Sequence, residues 1–202
     1  MNILVFGDSI VYGECTPATD CWVNRLRMYL DKKYDYKSYV HSLGISGHVS
    51  EEILTRFDSE CKPRHRPERD GKTVIIFGIG INDTQDLDGQ DRTSIEDFKK
   101  NIGALITKAK KFTDEITFVG LTPVDEPKVK NRFSSSTKQY KSYFNEKIIK
   151  YDNAIGQICR GQQVQYIYIF DLFTSKDLAD GLHPNSEGHE KIFKRVLEEL
   201  KL

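Results

Sequence analysis

The sequence predicts an α/β fold: a three-layer α/β/α sandwich of flavodoxin-like type, built on a five-stranded parallel sheet. Three observations carry this. Five strand-like runs are spaced along the chain, the first nearly continuous in apolar residues, as a strand covered on both faces must be. Segments with apolar residues at three- and four-residue steps separate most of them, and strand–helix alternation implies parallel pairing through right-handed crossovers. Several of the runs stop at glycine and polar residues, where such folds turn the chain.

The first run is Asn2-Ile3-Leu4-Val5-Phe6, ending at Gly7-Asp8-Ser9. Gly7 permits a tight turn and leaves room around Ser9, and Asp8 and Ser9 are both good helix caps. A loop from Ile10 to Asp20 leads to a helix with Trp22, Leu26, Tyr29 and Leu30 on one face. Tyr36 to Ser42 reads as the second strand, followed by Leu43-Gly44-Ile45-Ser46-Gly47, and Val49 to about Cys61 as a helix. Pro63 and Pro67 flank a basic loop. Thr73 to Phe77 is the third strand and ends at Gly78-Ile79-Gly80-Ile81-Asn82-Asp83. A polar loop with Asp86, Asp88 and Asp91 precedes Ser94-Ile95-Glu96-Asp97, which places an acid three residues after a serine cap, as in a capping box. That helix carries Phe98, Ile102, Leu105, Ile106 and Ala109. Ile116 to Leu121 is the fourth strand. The charged, then Ser-rich loop from Val124 to Ser136 leads to an expected helix from Thr137 to Cys159, with Tyr140, Phe144, Ile148, Tyr151 and Ile155 facing inward. Val164 to Phe170 is the fifth strand, and the last helix runs from Asn185 with Ile192, Phe193, Val196 and Leu200 inward.

At 202 residues the chain is expected to form one domain over 1–202, with no internal repeat or linker. Lys+Arg and Asp+Glu balance at 30 each, which argues against a nucleic-acid partner. No apolar run approaches the roughly 20 residues of a membrane helix. With no basic, apolar leader ahead of the first strand, the expected location is cytoplasmic. Cys15, Cys21, Cys61 and Cys159 form no CxxC pair; Cys15 and Cys21 could meet across the loop after Ser9, but free thiols are expected in that compartment.

In a parallel sheet the carboxyl ends of the strands share one edge, where ligands bind. Ser9, Gly47, Asn82 and Asp180-Gly181-Leu182-His183 all fall at or beyond strand ends. A serine hydroxyl is a weak nucleophile until a base takes its proton, and imidazole does so best near neutral pH. His183 is therefore the candidate base. Asp180, three residues earlier, can reach its Nδ1–H in a tight turn and fix the tautomer. Pro184 suits the start of the following helix. The backbone N–H groups of Ser9 and Gly47 and the Asn82 amide fit an oxyanion hole.

These blocks resemble the SGNH hydrolases of the GDSL esterase/lipase superfamily. Gly7-Asp8-Ser9 matches the first block, with Ile10 where the family usually has leucine. Ile45-Ser46-Gly47 matches the second, which assigns the oxyanion glycine to Gly47 rather than Gly44. Gly80-Ile81-Asn82-Asp83 matches the third and Asp180-Gly181-Leu182-His183-Pro184 the last, all in order and across nearly the whole chain. The resemblance implies a Ser9–His183–Asp180 ester hydrolase with an oxyanion hole of Ser9, Gly47 and Asn82, acting through an acyl-enzyme without metal or organic cofactor.

Other readings use the same residues. A binding module could keep the fold without the chemistry, although all the catalytic side chains are present. A metal-dependent hydrolase could use Asp8, Asn82, Asp180 and His183, but one histidine among carboxylates and an amide is a poor transition-metal set. His41, His48, His65 and His189 show no ligand spacing and read as surface or supporting residues; Trp22 reads as core. The substrate is expected to be a small ester. Thr84 to Arg92 with the adjoining Asp83 holds four acids against one base, and few apolar residues lie between Val124 and Ser136. These loops suggest short acyl groups on a polar alcohol and a rim that repels anionic head groups. A lysophospholipase or thioesterase acting on longer chains is the alternative.

Overall fold

The computed structural model describes residues 1–134 and 138–200. β1 (Asn2–Gly7) runs into a one-turn helix α1 (Ser9–Tyr12), followed by α2 (Trp22–Lys33), β2 (Tyr39–Gly44), α3 (Ser50–Cys61), α4 (Pro67–Asp70) and β3 (Thr73–Gly78). Then come β4 (Asp86–Leu87), β5 (Gln90–Asp91), α5 (Ile95–Ala109), β6 (Ile116–Val119), α6 (Glu126–Val129) and β7 (Arg132–Ser134). β8 (Gln139–Ser142), α7 (Asn145–Gly161), β9 (Gln165–Ile167) and α8 (Ser186–Leu200) complete the order.

The main sheet has the order β2-β1-β3-β6-β9, all parallel. Counted by appearance along the chain this is the 2-1-3-4-5 order of flavodoxin-like folds, and the direction of winding reverses between β1 and β3. A crevice opens beyond the carboxyl ends of those two strands. Ser9 follows one and Asn82 the other.

Alternation along β1 splits its side chains between two cores. Ile3 and Val5, with Val74 and Ile76, pack under Trp22, Leu26 and Leu30 of α2 and Ile192 and Val196 of α8. Leu4 and Phe6, with Ile75, Phe77 and Phe118, pack under Ile53 and Phe57 of α3, Phe98 and Ile102 of α5, and Ile148 and Tyr151 of α7. Phe77 stacks on Phe118 at 4.7 Å between ring centroids. Burying each such side chain contributes roughly 1.5–3 kcal/mol. Both faces being covered is why β1 and β3 read as nearly unbroken apolar runs.

Several boundaries differ from expectation. β2 begins at Tyr39, not Tyr36, because Asp35 and Tyr36 take positive φ (51° and 58°) to turn the chain after α2. β6 ends at Val119 rather than Leu121, and β9 spans Gln165–Ile167 rather than Val164–Phe170. The expected helix over 137–159 begins instead at Asn145; Thr137 lies outside the described residues. Before it, β7 and β8 form a hairpin that joins β4 and β5 in a second, antiparallel sheet of order β5-β4-β8-β7. Tyr140 therefore sits exposed on β8 against Phe133, and Phe144 stands at the cap of α7. The stretch between Pro63 and Pro67 is loop as expected, and α4 begins at Pro67. His189 is fully buried; its Nδ1 accepts the Trp22 N–H at 3.4 Å, and burial, with Arg25 and His183 nearby, pushes it down to about 4. All four cysteines are free, Cys15 alone being exposed. Among the described residues no helix is long and apolar enough to cross a membrane.

Candidate active site

Ser9 opens α1 immediately past β1. Asp8 caps this single turn by accepting the Ile10 N–H at 3.0 Å, and Gly13, at φ +91°, ends it. Gly7 does not serve to clear space around Ser9. A Cβ there would lie 2.2 Å from Val11 Cγ2 and 2.4 Å from the Gly78 carbonyl oxygen, so its absence lets α1 and β3 close on the strand end.

On the far side of the crevice, the segment before α8 is locked as a turn. Leu178 bridges Pro184, and the Ala179 N–H donates to the His183 carbonyl. Within it Asp180 Oδ1 accepts the N–H groups of Leu182 (3.0 Å) and His183 (2.9 Å), while Oδ2 lies 3.0 Å from His183 Nδ1. Burial alone would raise the Asp180 carboxyl; the His183 side chain and these two backbone donors outweigh it and hold the group well below its ordinary range. An ionised Asp180 takes the Nδ1–H, which leaves His183 Nε2 facing Ser9 Oγ at 3.0 Å. Two further groups approach the ring: Glu14 Oε2 lies 4.0 Å from Nε2, and Cys15 Sγ lies 3.7 Å from Nδ1. Burial, then the charges of Asp180 and Glu14, push the Cys15 thiol up, with Arg132 opposing them.

The two candidate glycines separate cleanly. A Cβ at Gly44 would stand 2.3 Å from the Tyr12 nitrogen and 2.7 Å from the Asp8 carbonyl oxygen, so Gly44 is a packing glycine. Gly47 sits at φ +80° with nothing within 4 Å of such a Cβ, and it lines the cavity. Asn82 is almost fully buried. Its Nδ2 donates to the His48 carbonyl at 3.1 Å, and its Oδ1 accepts from Gln85 Nε2 (3.0 Å) and the Tyr143 hydroxyl (3.1 Å). That orientation leaves Nδ2 a second hydrogen to offer. Among the described residues, the N–H groups of Ser9 and Gly47 have no hydrogen-bond partner.

All these groups meet in one cavity of about 310 Å³, lined by Ser9, Glu14, Ser46, Gly47, Asn82, Gln85, Arg92, Ser134, Lys141, Tyr143, Leu182 and His183. Ser9, Gly47, Asn82 and His183 line it together, with Asp180 behind His183. Gln85, Arg92, Lys141 and Tyr143 were not anticipated. Arg92 donates to Gln85 Oε1 (3.0 Å) and to the Gly47 carbonyl (2.9 Å), bracing the glycine loop. Lys141 and Tyr143 arrive on and just after β8, whose pairing with β4 no local pattern announces. None of the four acids expected at the rim lines the cavity. Asp83 is buried and accepts from Ser50, Asp86 takes the Gly89 N–H, Asp88 the Tyr140 N–H, and Asp91 pairs with Lys147 at 2.6 Å. The charged side chains that line the cavity include the cations Arg92 and Lys141. Nor, among the described residues, does Asp8 join Asp180 and His183 in a set of ligand atoms close enough for one ion.

The family model of the GDSL-like lipase/acylhydrolases matches residues 5–191. No curated protein matches the chain. Among solved structures, LAE5, an alpha/beta hydrolase enzyme from the metagenome of Lake Arreo, Spain, superposes with a TM-score of 0.74 at 16% identity, covering 99% of this chain and 94% of that one. The psychrotrophic esterase EstA from Pseudoalteromonas sp. gives 0.70 at 18% identity over 99% and 96%. Axe2, an acetyl xylan esterase from Geobacillus stearothermophilus, gives 0.72 at 16% identity over 98% and 94%. At these identities the likeness is one of fold.

Proposed function

The chain belongs to the GDSL-like lipase/acylhydrolase family, and from that premise we propose that Ser9, His183 and Asp180 are the catalytic triad of a carboxylic ester hydrolase with a preference for short acyl groups. The observation that carries the assignment is the continuous run from Ser9 Oγ to His183 Nε2 (3.0 Å) and from His183 Nδ1 to Asp180 Oδ2 (3.0 Å). Ser9 Oγ attacks the ester carbonyl while His183 takes its proton. Asp180 stabilises the imidazolium that forms. The N–H groups of Ser9 and Gly47 and Asn82 Nδ2 receive the developing oxyanion. Collapse of the tetrahedral intermediate expels the alcohol, protonated by His183, and leaves an acyl-Ser9. Water, activated by the same imidazole, then releases the acid.

The chain-length preference rests on the cavity wall. A long acyl chain gains roughly 0.8 kcal/mol per buried CH₂ only against apolar surface. Here Tyr143 and Leu182 are the apolar side chains among otherwise polar or small lining residues. Acetyl to butyryl esters of a polar, carbohydrate-like alcohol fit that wall, and the acetyl xylan esterase shares the fold. The two core clusters lie on opposite faces of one sheet, which supports a single catalytic domain. The free thiols support action in the cytoplasm.

A fluorophosphonate probe should add one adduct to the intact mass of the wild type and none to Ser9→Ala. Ser9→Ala and His183→Ala should each lose nearly all turnover, since triad members act as a unit. Labelling of Ser9→Ala, or turnover in it beyond a few per cent of wild type, would sink the assignment. Across p-nitrophenyl esters of two to sixteen carbons, kcat/KM should peak at four or fewer. A maximum at eight or more would replace the short-chain reading with the lysophospholipase or thioesterase one.

A further inference from the structure

We propose that Cys15, His183 and Asp180 form a zinc site, and that zinc bound there switches the esterase off. The binding stands on geometry alone; the inhibition rests on the reading of His183 as the base. The three ligand atoms come from two segments far apart in sequence and lie within 4.8 Å of one another. Cys15 Sγ is 3.7 Å and Asp180 Oδ2 3.0 Å from His183 Nδ1. A tetrahedral zinc ion, about 2.0–2.3 Å from its ligands, holds nitrogen and sulfur about 3.6 Å apart and nitrogen and oxygen about 3.3 Å apart. The separations from Nδ1 are thus within a few tenths of an ångström of those in a zinc site, and drawing Cys15 Sγ and Asp180, already within 4.8 Å, together around the ion completes three ligands of a tetrahedron, with solvent for the fourth. Cys15 is exposed, so an ion can reach it. Thiolate plus imidazole selects a borderline-soft ion such as Zn²⁺ over Mg²⁺ or Ca²⁺.

The proton balance explains the inhibition. Cys15 gives up its S–H proton to solvent and binds as thiolate, and Asp180 is already ionised. Zinc takes the lone pair of Nδ1, so the proton that Nδ1 carried moves to Nε2. Nε2–H then points at Ser9 Oγ as a donor and no longer accepts the serine proton. Thiolate, carboxylate and neutral imidazole leave the Zn²⁺ complex with no net charge. Arg132 Nη1, 4.0 Å from Asp180 Oδ2, opposes the ion.

The test is a titration of the intact protein with Co²⁺ and Zn²⁺. Co²⁺ should produce a thiolate-to-metal charge-transfer absorption that Zn²⁺ displaces. Zn²⁺ should inhibit ester hydrolysis in step with its binding, and EDTA should restore the rate. Cys15→Ser should keep its metal-free activity, lose the absorption and bind zinc more than about tenfold more weakly, since even supporting groups around a metal are worth that much. Arg132→Gln should bind zinc more tightly. No charge-transfer absorption in the wild type, or equal zinc affinity in Cys15→Ser, would overturn the site. Absorption without loss of rate would overturn the inhibitory role. A wild type inactive on every ester before metal is added would count instead against the triad, while the cobalt absorption would still report on the site.

Discussion

Asn82 is held by three partners, His48, Gln85 and Tyr143, so its amide is already aimed for the oxyanion role proposed for it. A donor of that kind acts mainly on the transition state. Asn82→Ala should therefore lower kcat by roughly 10²–10³ with little change in KM; steady-state kinetics on p-nitrophenyl acetate would show it, and a change confined to KM would mean that Asn82 binds ground-state ester instead. The two glycines allow a paired prediction. Gly44→Ala pushes a methyl into the backbone of α1 and should destabilise the fold strongly. Gly47→Ala meets no atom and pays only for its φ of +80°, about 1–2 kcal/mol. Gly47→Ala should nonetheless be the one that loses kcat in the folded enzyme. Urea unfolding beside kinetics separates the two effects.

The first turn of α3 ties the glycine loop to the sheet. Asp83 accepts the Ser50 N–H and hydroxyl (2.9 and 2.6 Å), and Glu52 takes the Val49 N–H at 2.8 Å. A carboxylate at a helix N-terminus satisfies donors that the helix cannot. Asp83 also follows Asn82 directly, so one residue pair anchors both the α3 start and the amide donor. Asp83→Ala should cost about 1–3 kcal/mol of stability through unsatisfied buried donors and should lower kcat by displacing Gly47 and Asn82. Asp83→Asn, which can still accept from Ser50, should recover part of both. Full activity in Asp83→Ala would show that α3 holds the loop without it.

At the scale of the molecule, burying acids beneath the crevice makes stability depend on pH. Asp8 is almost fully buried, and that burial pushes it up to about 7, only partly offset by the Ile10 N–H. Burial likewise pushes Asp83 up to about 6. An unfolded Asp ionises near 3.9. Between about pH 4 and 7 the folded chain thus holds protons on Asp8 and Asp83 that the unfolded chain has released, so their contribution to stability falls as pH rises through that window and levels off above it, while His189, held down to about 4, contributes with the opposite sign up to about pH 6.5. Asp8→Asn keeps the cap on α1, because Asn caps as well as Asp, and removes the ionisation. Its Tm should exceed that of the wild type at pH 8, with the gap closing by pH 5. Melts at the two pH values would show it; a lower Tm for the variant at pH 8 would contradict it.

The central strands β1, β3 and β6 were legible in the sequence because both their faces are buried, which forces nearly unbroken apolar runs, whereas the edge strands β2 and β9 keep exposed residues. Ser9, Gly47, Asn82, Asp180 and His183 could be named as candidates because a parallel sheet delivers strand ends to one edge whatever the loops do, and because the resemblance to the family's blocks chose Gly47 over Gly44. The pairing of β7 (132–134) with β8 (139–142) was not legible. Tyr140, Phe144 and Ile148 fall at helical spacing by accident, and β8 exists because it pairs with Asp86 and Leu87, more than fifty residues away. The same distance hid Tyr143 and Lys141 from the cavity wall, and it turned an apparently acidic rim into one whose acids are already engaged. Local pattern carries burial and turn chemistry, so it determined the fold class and the order of the site residues. Pairing between remote segments decided what surrounds Asn82 and brought Cys15 within 3.7 Å of His183, because that depends on contacts whose partners no window of sequence contains.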